Sequence, residues 1–554
     1  MKRIPALVFA TTICLAGAAG RGAIVAANDE PALPPAALQA IDVAGLEAHI
    51  RFLSDDLLEG RAPATRGGDL AARYIAAMFR TLGLEPGAAD GTYFQQVPIL
   101  ETEVQGAVTL TATGSGGELR LTSPDDVVAF SGTDRAQVTV DAPVVFVGYG
   151  ITAPEFNWND YAGVDVKGKI VLAMVNDPPA TEAEPNLFGG RALTYYGRWT
   201  YKYEEAARQG AAGAILIHTT ESASYPFSVV QSSWSGTQYS IPPAAGTPLL
   251  ELKAWVTEDA ARKLASLGGH DLDALRKAAQ SRGAKAVDLG VRVATSFAQK
   301  VTRKSSPNVI GKLAGSAGSG ESIIFSAHYD HIGMRPGGQG DTIYNGARDN
   351  ASGVAGLLEI AEALAAAPRP RRDVYFVATT AEESGLLGSE YLAANPPMPI
   401  DKVAANINMD SLNVYGPSSE VVLLGSERST LGAIADRLAA ASGRKIGADP
   451  TPERGAFFRS DHFPLAKVGV PALSITLGAP SAFTGPGAEK ARELAKTYNE
   501  THYHQPSDEF SPDWNLEGAL QDVQLLAQIG WVVASSTEMP AYHPTEQFAA
   551  PRKK

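Results

Sequence analysis

Between Glu321 and Leu412, three apolar, β-rich runs are each followed closely by a histidine or a carboxylate. The runs are Ile323–Ala327, Val374–Thr379 and Val403–Ile407, and the followers are His328, then Glu382 and Glu383, then Asp410. A further acid, Asp349, stands at the entry of a helix-period segment between the first two runs, Ser352–Ala366, which Pro368 stops. Strand-like runs alternating with helical patterns call for βαβ crossovers and a mainly parallel sheet. In an open α/β sheet, ligands bind in the crevice beyond the carboxyl ends of the strands. The spacing therefore gathers one imidazole and several carboxylates at one sheet edge, a donor set suited to a hydrolytic metal centre.

The rest of the chain reads as support for that edge. At 554 residues it is too long for one ordinary domain. Asn28–Gln39, rich in Pro and Ala, reads as a linker. Asp42 is the expected N-cap of a helix carrying Leu46, Ile50 and Leu53. A second helix is expected over Gly68–Leu82, with Leu70, Ile75, Met78, Phe79 and Leu82 on its core side and Gly83 as its stop. The stretch between them, SDDLLEGRAPATRGG, is turn-rich and polar. From about Val104 the pattern changes to short β-type runs separated by Gly, Asp and Ser, and an independent α/β module is expected over 104–298. The host then comprises 28–103 and 299–538, ending in a long helix near Leu516–Ser535, with a tail over 539–554.

Composition narrows the function classes. Acids outnumber bases 60 to 47, a net charge of −13, which argues against a general nucleic-acid surface. Residues 1–27 have the charged start, short apolar run and small residues of a secretory signal, so a periplasmic or secreted protein is expected; an uncleaved anchor is the alternative. No later segment is long and apolar enough to span a bilayer. The only cysteine, Cys14, lies in that leader, so the mature chain would hold no disulfide, thiolate metal site or Cys nucleophile.

Each chemical motif also has a structural reading. His328 follows a buried strand, and Asp330, two residues on, is placed to hold its second ring nitrogen; a core histidine with a carboxylate partner is the alternative. Asp349 or Asn350 could simply cap the helix that follows, although a carboxylate can also bridge two cations. Glu382 and Glu383 would repel each other unless a cation lies between them or one takes a proton. Asp410, after so apolar a run, needs a partner, and a salt bridge would serve. Arg459-Ser460-Asp461-His462 and Tyr503-His504 through Asp508 read as polar loops, with His504 a candidate ligand, Asp508 its possible support and Tyr503 a possible oxyanion donor.

In this order and wording the chain resembles the co-catalytic di-zinc aminopeptidases, a branch of the zinc exopeptidases that also includes glutamate carboxypeptidases and glutaminyl cyclases. Within the insert, Gly148-Tyr149-Gly150, Asp160-Tyr161, Gly168-Lys169 and Gly210-Ala211-Ala212-Gly213 resemble a protease-associated (PA) domain. The resemblance implies an α/β fold, a mainly parallel mixed sheet flanked by helices, carrying an inserted β-rich α/β PA domain. It implies two zinc ions per chain: His328 and Asp410 on one, Glu383 and His504 on the other, with Asp349 bridging. Glu382 would be the general base and Tyr503 the oxyanion-stabilising tyrosine. Asp330, Asn350, Arg459, Asp461, His462 and Asp508 would stand behind the ligands or against substrate. A cis Asp349–Asn350 peptide is implied as well. The function expected is removal of N-terminal residues from peptides. The alternatives are a carboxypeptidase using Arg348 or Arg459 for the terminal carboxylate, a glutaminyl cyclase-like enzyme, and a receptor-like homologue without metals. Side-chain preference and oligomeric state are not legible.

Overall fold

The computed structural model describes residues 31–549, other than 224 and 336–339. The expected leader at 1–27 and the last residues of the tail, 550–554, lie outside the described residues. The fold begins earlier than the linker reading had it: Leu33 and Ala37 are buried against the host core, Ala37 in a short helical turn, Pro35–Leu38.

Asp42 caps α1 (Val43–Leu53), accepting from the Gly45 N–H at 2.7 Å, and Leu46, Ile50 and Leu53 are fully buried. Thr65 caps α2 (Arg66–Thr81), whose buried face is Ala71, Ala72, Ile75, Ala76 and Phe79. Leu70 is exposed, against the expectation. Nine residues before Phe79, at about 100° per residue, it falls on the opposite side of the helix. The chain then enters β1 (Phe94–Gln105).

The insert carries β2 (Gln137–Phe146), β3 (Ile170–Met174), α3 (Trp199–Arg208), β4 (Gly213–His218) and β5 (Leu252–Thr257). Strands β2, β3, β4 and β5 pair in that order, all parallel, over two apolar layers. Next comes β6 (Val287–Leu313), a 27-residue strand. Its first part pairs with β2, its middle with β1, and its last residues with the host sheet. One strand thus belongs to both units.

The host continues through β7 (Ser322–His328), α4 (Gly353–Ala366), β8 (Asp373–Thr379), β9 (Val403–Met409), β10 (Glu420–Leu424), β11 (Ala472–Leu477) and α5 (Glu517–Ser535). The host ladder runs β1, β6, β8, β7, β9, β11, β10. Its central strands β8, β7, β9 and β11 are parallel and its flanks antiparallel, giving the mixed α/β sheet expected. Helices α4 and α5 cover one face over Phe325, which stacks on Phe376 with centroids 5.6 Å apart. Gly530 is what lets α5 approach: a Cβ there would stand 2.0 Å from the Phe325 ring. Among the described residues no helix is long and apolar enough to cross a membrane.

The topology positions the site. From β7 the chain crosses to β8 on one side, then returns to β9 on the other. The two crossovers part at the carboxyl end of β7, and a crevice opens there. His328 is the last residue of β7, Asp410 follows the last residue of β9, and Glu382 follows β8 by three.

Candidate metal centre

Asp349 lies where the chain turns into α4. The turn Ala347–Ser352 has π-helical form and is fully buried, and the Asp349–Asn350 peptide is cis. Asn350, not Asp349, serves the helix: its Oδ1 accepts from Gly353 and Ser411 N–H at 2.9 and 3.0 Å, and its Nδ2 donates to Met409 O at 3.0 Å. The Asp349 carboxylate is left facing the crevice. Its Oδ1 is 3.3 Å from His328 Nε2, and its Oδ2 is 3.5 Å from His504 Nε2.

The other donors complete two clusters. His328 Nε2 lies 3.4 Å from Asp410 Oδ1, and His504 Nε2 lies 3.0 Å from Glu383 Oε2. His328, Asp349 and Glu383 offer ligand atoms within 4.8 Å of one another, and so do His328, Glu382 and Asp410. Atoms about 2.0–2.1 Å from a common tetrahedral zinc ion stand roughly 3.3 Å apart, so these separations fit donors arranged around ions. His504 Nε2 is buried without a hydrogen bond, as a ligand nitrogen would be. The donors are imidazole and carboxylate, a set that suits zinc.

Several neighbours hold these donors in place. Ser460 Oγ donates to Asp410 Oδ2 at 2.6 Å. His331 Nδ1 meets Glu383 Oε1 at 2.6 Å, leaving Oε2 for His504. The stacked Tyr503 ring lies 3.9 Å from that of His504, which sits at φ +57°. Arg61 is buried and donates to Tyr329 O at 2.8 Å, Asn345 O at 2.5 Å, Gly346 O at 3.0 Å and Leu53 O. The sequence reading named neither Arg61, Ser460 nor His331 for these roles. For Ser460 and His331 the one signal was proximity to motif residues; Arg61 lies in the turn-rich polar stretch between the first two helices.

Three expected supports have main partners other than those expected. The Asp330 carboxylate faces His328 only loosely: its Oδ1 lies 3.9 Å from His328 Nδ1 and accepts from the Glu382 N–H at 3.1 Å, while backbone Asp330 O stands nearer the ring nitrogen, at 3.2 Å. The strand ends at His328, so two-residue alternation stops there. Asp508 does not reach His504. Its oxygens accept from the Arg348 and Asp349 N–H groups at 3.2 and 3.0 Å, fixing the turn that carries Asp349. His462 is buried, and its ring packs edge-on to Phe457 at 4.7 Å, away from the crevice donors. Its neighbour Asp461 is buried beside them and accepts from Thr379 and Ser389 hydroxyls. Arg348 lies over the Tyr498 and Tyr415 rings, 4.1 and 5.5 Å from their centroids, and donates to Leu412 O.

The electrostatics describe a site short of positive charge. Burial disfavours charged His328, but Glu382, Asp410 and Asp349 outweigh it and hold the imidazole well above its ordinary pKa. His504 is pushed up to about 10, against burial, by Glu383 and Asp349. Burial would raise Glu383, but His504 and His331 bring it down to about 2. Glu382 is held well above the usual carboxylate range, first by burial and then by Asp410 and Glu383. Protonated imidazoles here balance the carboxylates, a part that bound cations would take over while releasing those protons.

Residues 308–527 match the model of peptidase family M28, and residues 138–248 match the PA domain. Aminopeptidase YwaD of Bacillus subtilis strain 168 is 25% identical over 342 residues, 60% of this chain and 59% of that protein. A probable zinc metalloprotease of Pyrenophora teres f. teres is 38% identical over 103 residues, 18% of this chain and 22% of its own. The chain therefore spans less than two thirds of the curated relatives it matches. The fold is shared with an aminopeptidase from Aneurinibacillus sp. strain AM-1: TM-score 0.51 at 20% identity, over 91% of this chain and 96% of that one.

Proposed function

We propose, for a chain whose residues 308–527 belong to peptidase family M28 and whose residues 138–248 form a PA domain, that it is an exported aminopeptidase using two zinc ions. The observation that carries the reading is the Asp349 carboxylate, one oxygen toward His328 and the other toward His504. His328 and Asp410 would hold one ion, Glu383 and His504 the other, and Asp349 would serve both. When bound, such a pair supplies Lewis acidity, lowering the pKa of water and polarising the scissile carbonyl.

The chain's own groups do the rest. Glu382 takes a proton from the attacking water and hands it to the leaving amine. Burial and neighbouring carboxylates raise its affinity for a proton, which strengthens it as a base. Asp330 fixes the Glu382 backbone. The Tyr503 hydroxyl donates to the developing oxyanion. Asp508, Ser460 and His331 keep Asp349, Asp410 and Glu383 oriented, as supporting groups do in metal sites. The substrates are peptides with a free N-terminus.

Glu382→Ala is expected to lower kcat on leucine p-nitroanilide by roughly 10²-fold or more while zinc per chain, measured by plasma mass spectrometry, stays at the wild-type level. Normal turnover in that variant removes Glu382 from the mechanism, and a wild-type content below two ions removes the bridging role of Asp349. Cleavage of N-blocked peptides in place of the anilide would select the carboxypeptidase alternative.

A further inference from the structure

The insert reaches the edge of the catalytic crevice through the segment Leu193–Arg198, which lies against host residues 452–463. The Leu193 N–H donates to Pro452 O at 3.0 Å, and the Tyr195 ring lies 6.0 Å from Phe458 and 4.8 Å from Phe463. Arg198 comes three residues after Tyr195 and Arg459 one after Phe458, and the Arg459 charge is felt at Arg198 across the junction.

Neither has an ion-pair partner among the described residues. Arg198 is half-buried, and its Nε is sealed from solvent with no hydrogen bond. It also occupies the N-cap of α3, at the positive end of the helix dipole. Burial first, and then Arg459, bring its pKa down to about 10, so it keeps its proton at neutral pH. A cation held beside another cation, at a positive helix end and away from any carboxylate, costs free energy until an anion joins it. Arg459 is exposed and adjoins Ser460, whose Oγ donates to the Asp410 carboxylate at 2.6 Å, and its charge is also felt at Tyr503, whose ring stacks on His504. The pair therefore borders the metal centre on the Tyr503 side.

We propose that Arg198 and Arg459 form an anion subsite, shared by insert and host, that binds a carboxylate of the peptide substrate beyond Tyr503. This rests on the peptidase reading above. The carboxylate is either the free C-terminus of a short peptide or an Asp or Glu side chain, since a guanidinium fork takes both through paired charge-assisted bonds.

The test uses the full-length, zinc-loaded protein with Leu-Gly-Gly, Leu-Gly-Gly-amide and Leu-Glu-Gly-amide. Alongside turnover, calorimetry on Glu382→Ala measures the affinity of each peptide. Carboxylate-bearing peptides are expected to exceed Leu-Gly-Gly-amide about tenfold in kcat/KM and in affinity, the equivalent of about 1.4 kcal/mol. That preference is expected to fall toward unity in Arg459→Gln and in Arg198→Gln. Because Arg459 is exposed, its variant decides the matter even where Arg198→Gln fails to fold. A preference confined to Leu-Gly-Gly assigns the C-terminus as the source, one confined to Leu-Glu-Gly-amide assigns the side chain, and one shared by both shows that the fork takes either carboxylate. Equal handling of all three peptides by the wild type, or an unchanged preference in Arg459→Gln, overturns the subsite. Loss of all cleavage of free-amine peptides counts instead against the aminopeptidase reading, and the calorimetric ratio still judges the subsite.

Discussion

Arg61 joins the end of β7 to the turn before Asp349 by donating to Tyr329 O on one side and to Asn345 O and Gly346 O on the other. Its charge stands among Asp330, Asp508, Asp349 and Glu383, and although burial lowers its pKa to about 10, it is charged at neutral pH. Arg61→Ala would strand several buried carbonyls at about 1–3 kcal/mol each. We expect a loss of roughly 3 kcal/mol or more in urea unfolding, together with weaker zinc binding by calorimetry. Arg61→Lys, which keeps the charge but not the fork, is expected to recover stability in part and zinc affinity less. An Arg61→Ala protein with wild-type affinity would leave this residue a purely structural part. The residue scale is also where sequence reading was least secure. Asp330, Asp508 and His462 sit beside motif residues, yet their side chains turn to a backbone amide, a preceding turn and an aromatic cluster.

Among the elements, α1 and α4 meet through a carboxylate. Glu359 of α4 is buried, and its Oε2 accepts from the Asp42 N–H at the start of α1 at 3.0 Å. Burial, reinforced by Glu362 and Asp42, raises its pKa from 4.5 to about 7. The folded state therefore binds this proton more tightly than the unfolded chain. The contribution is fully present below about pH 4.5 and is lost as pH rises through about 7. Glu359→Gln keeps an acceptor for Asp42 and removes the titration. We expect it to raise Tm at pH 8 while leaving Tm near pH 4.5 close to wild type; an equal shift at both values would contradict the linkage. Element positions were largely legible because capping and periodicity are local: Asp42 caps α1, and α5 spans nearly the expected residues. Leu70 was misplaced because the expected core face was drawn too wide: the helical period itself sets Leu70 opposite Phe79.

For the whole molecule, the proposed ions would tie together β7, β8, β9, the entry to α4 and the His502–Asp508 turn. Ligands that bind only the folded state stabilise it by mass action, about 4 kcal/mol at a thousandfold excess over Kd. Treatment with a chelator is expected to lower Tm by several degrees, and zinc to restore it, followed by circular dichroism. A melting curve indifferent to chelator and to added zinc would be incompatible with ions at this edge. The insert shares strand β6 with the host and adds Tyr195 and Lys467 across the junction, hydrogen-bonded at 3.0 Å. The boundary drawn near residue 298 by composition thus falls within a continuous strand.

Order and kind were set by the sequence alone: alternating strand and helix periods make the parallel core, and the residues just after those strands supply imidazole and carboxylates to one edge. Those signals are local, since hydrophobic period and chain punctuation act over a few residues. Which oxygen faces which nitrogen was decided only in three dimensions, as was the placing of Arg61, His331 and Ser460 behind the donors. Those contacts join segments 50 to 285 residues apart, and burial gives them their strength by leaving each polar group no partner but the one the fold brings to it.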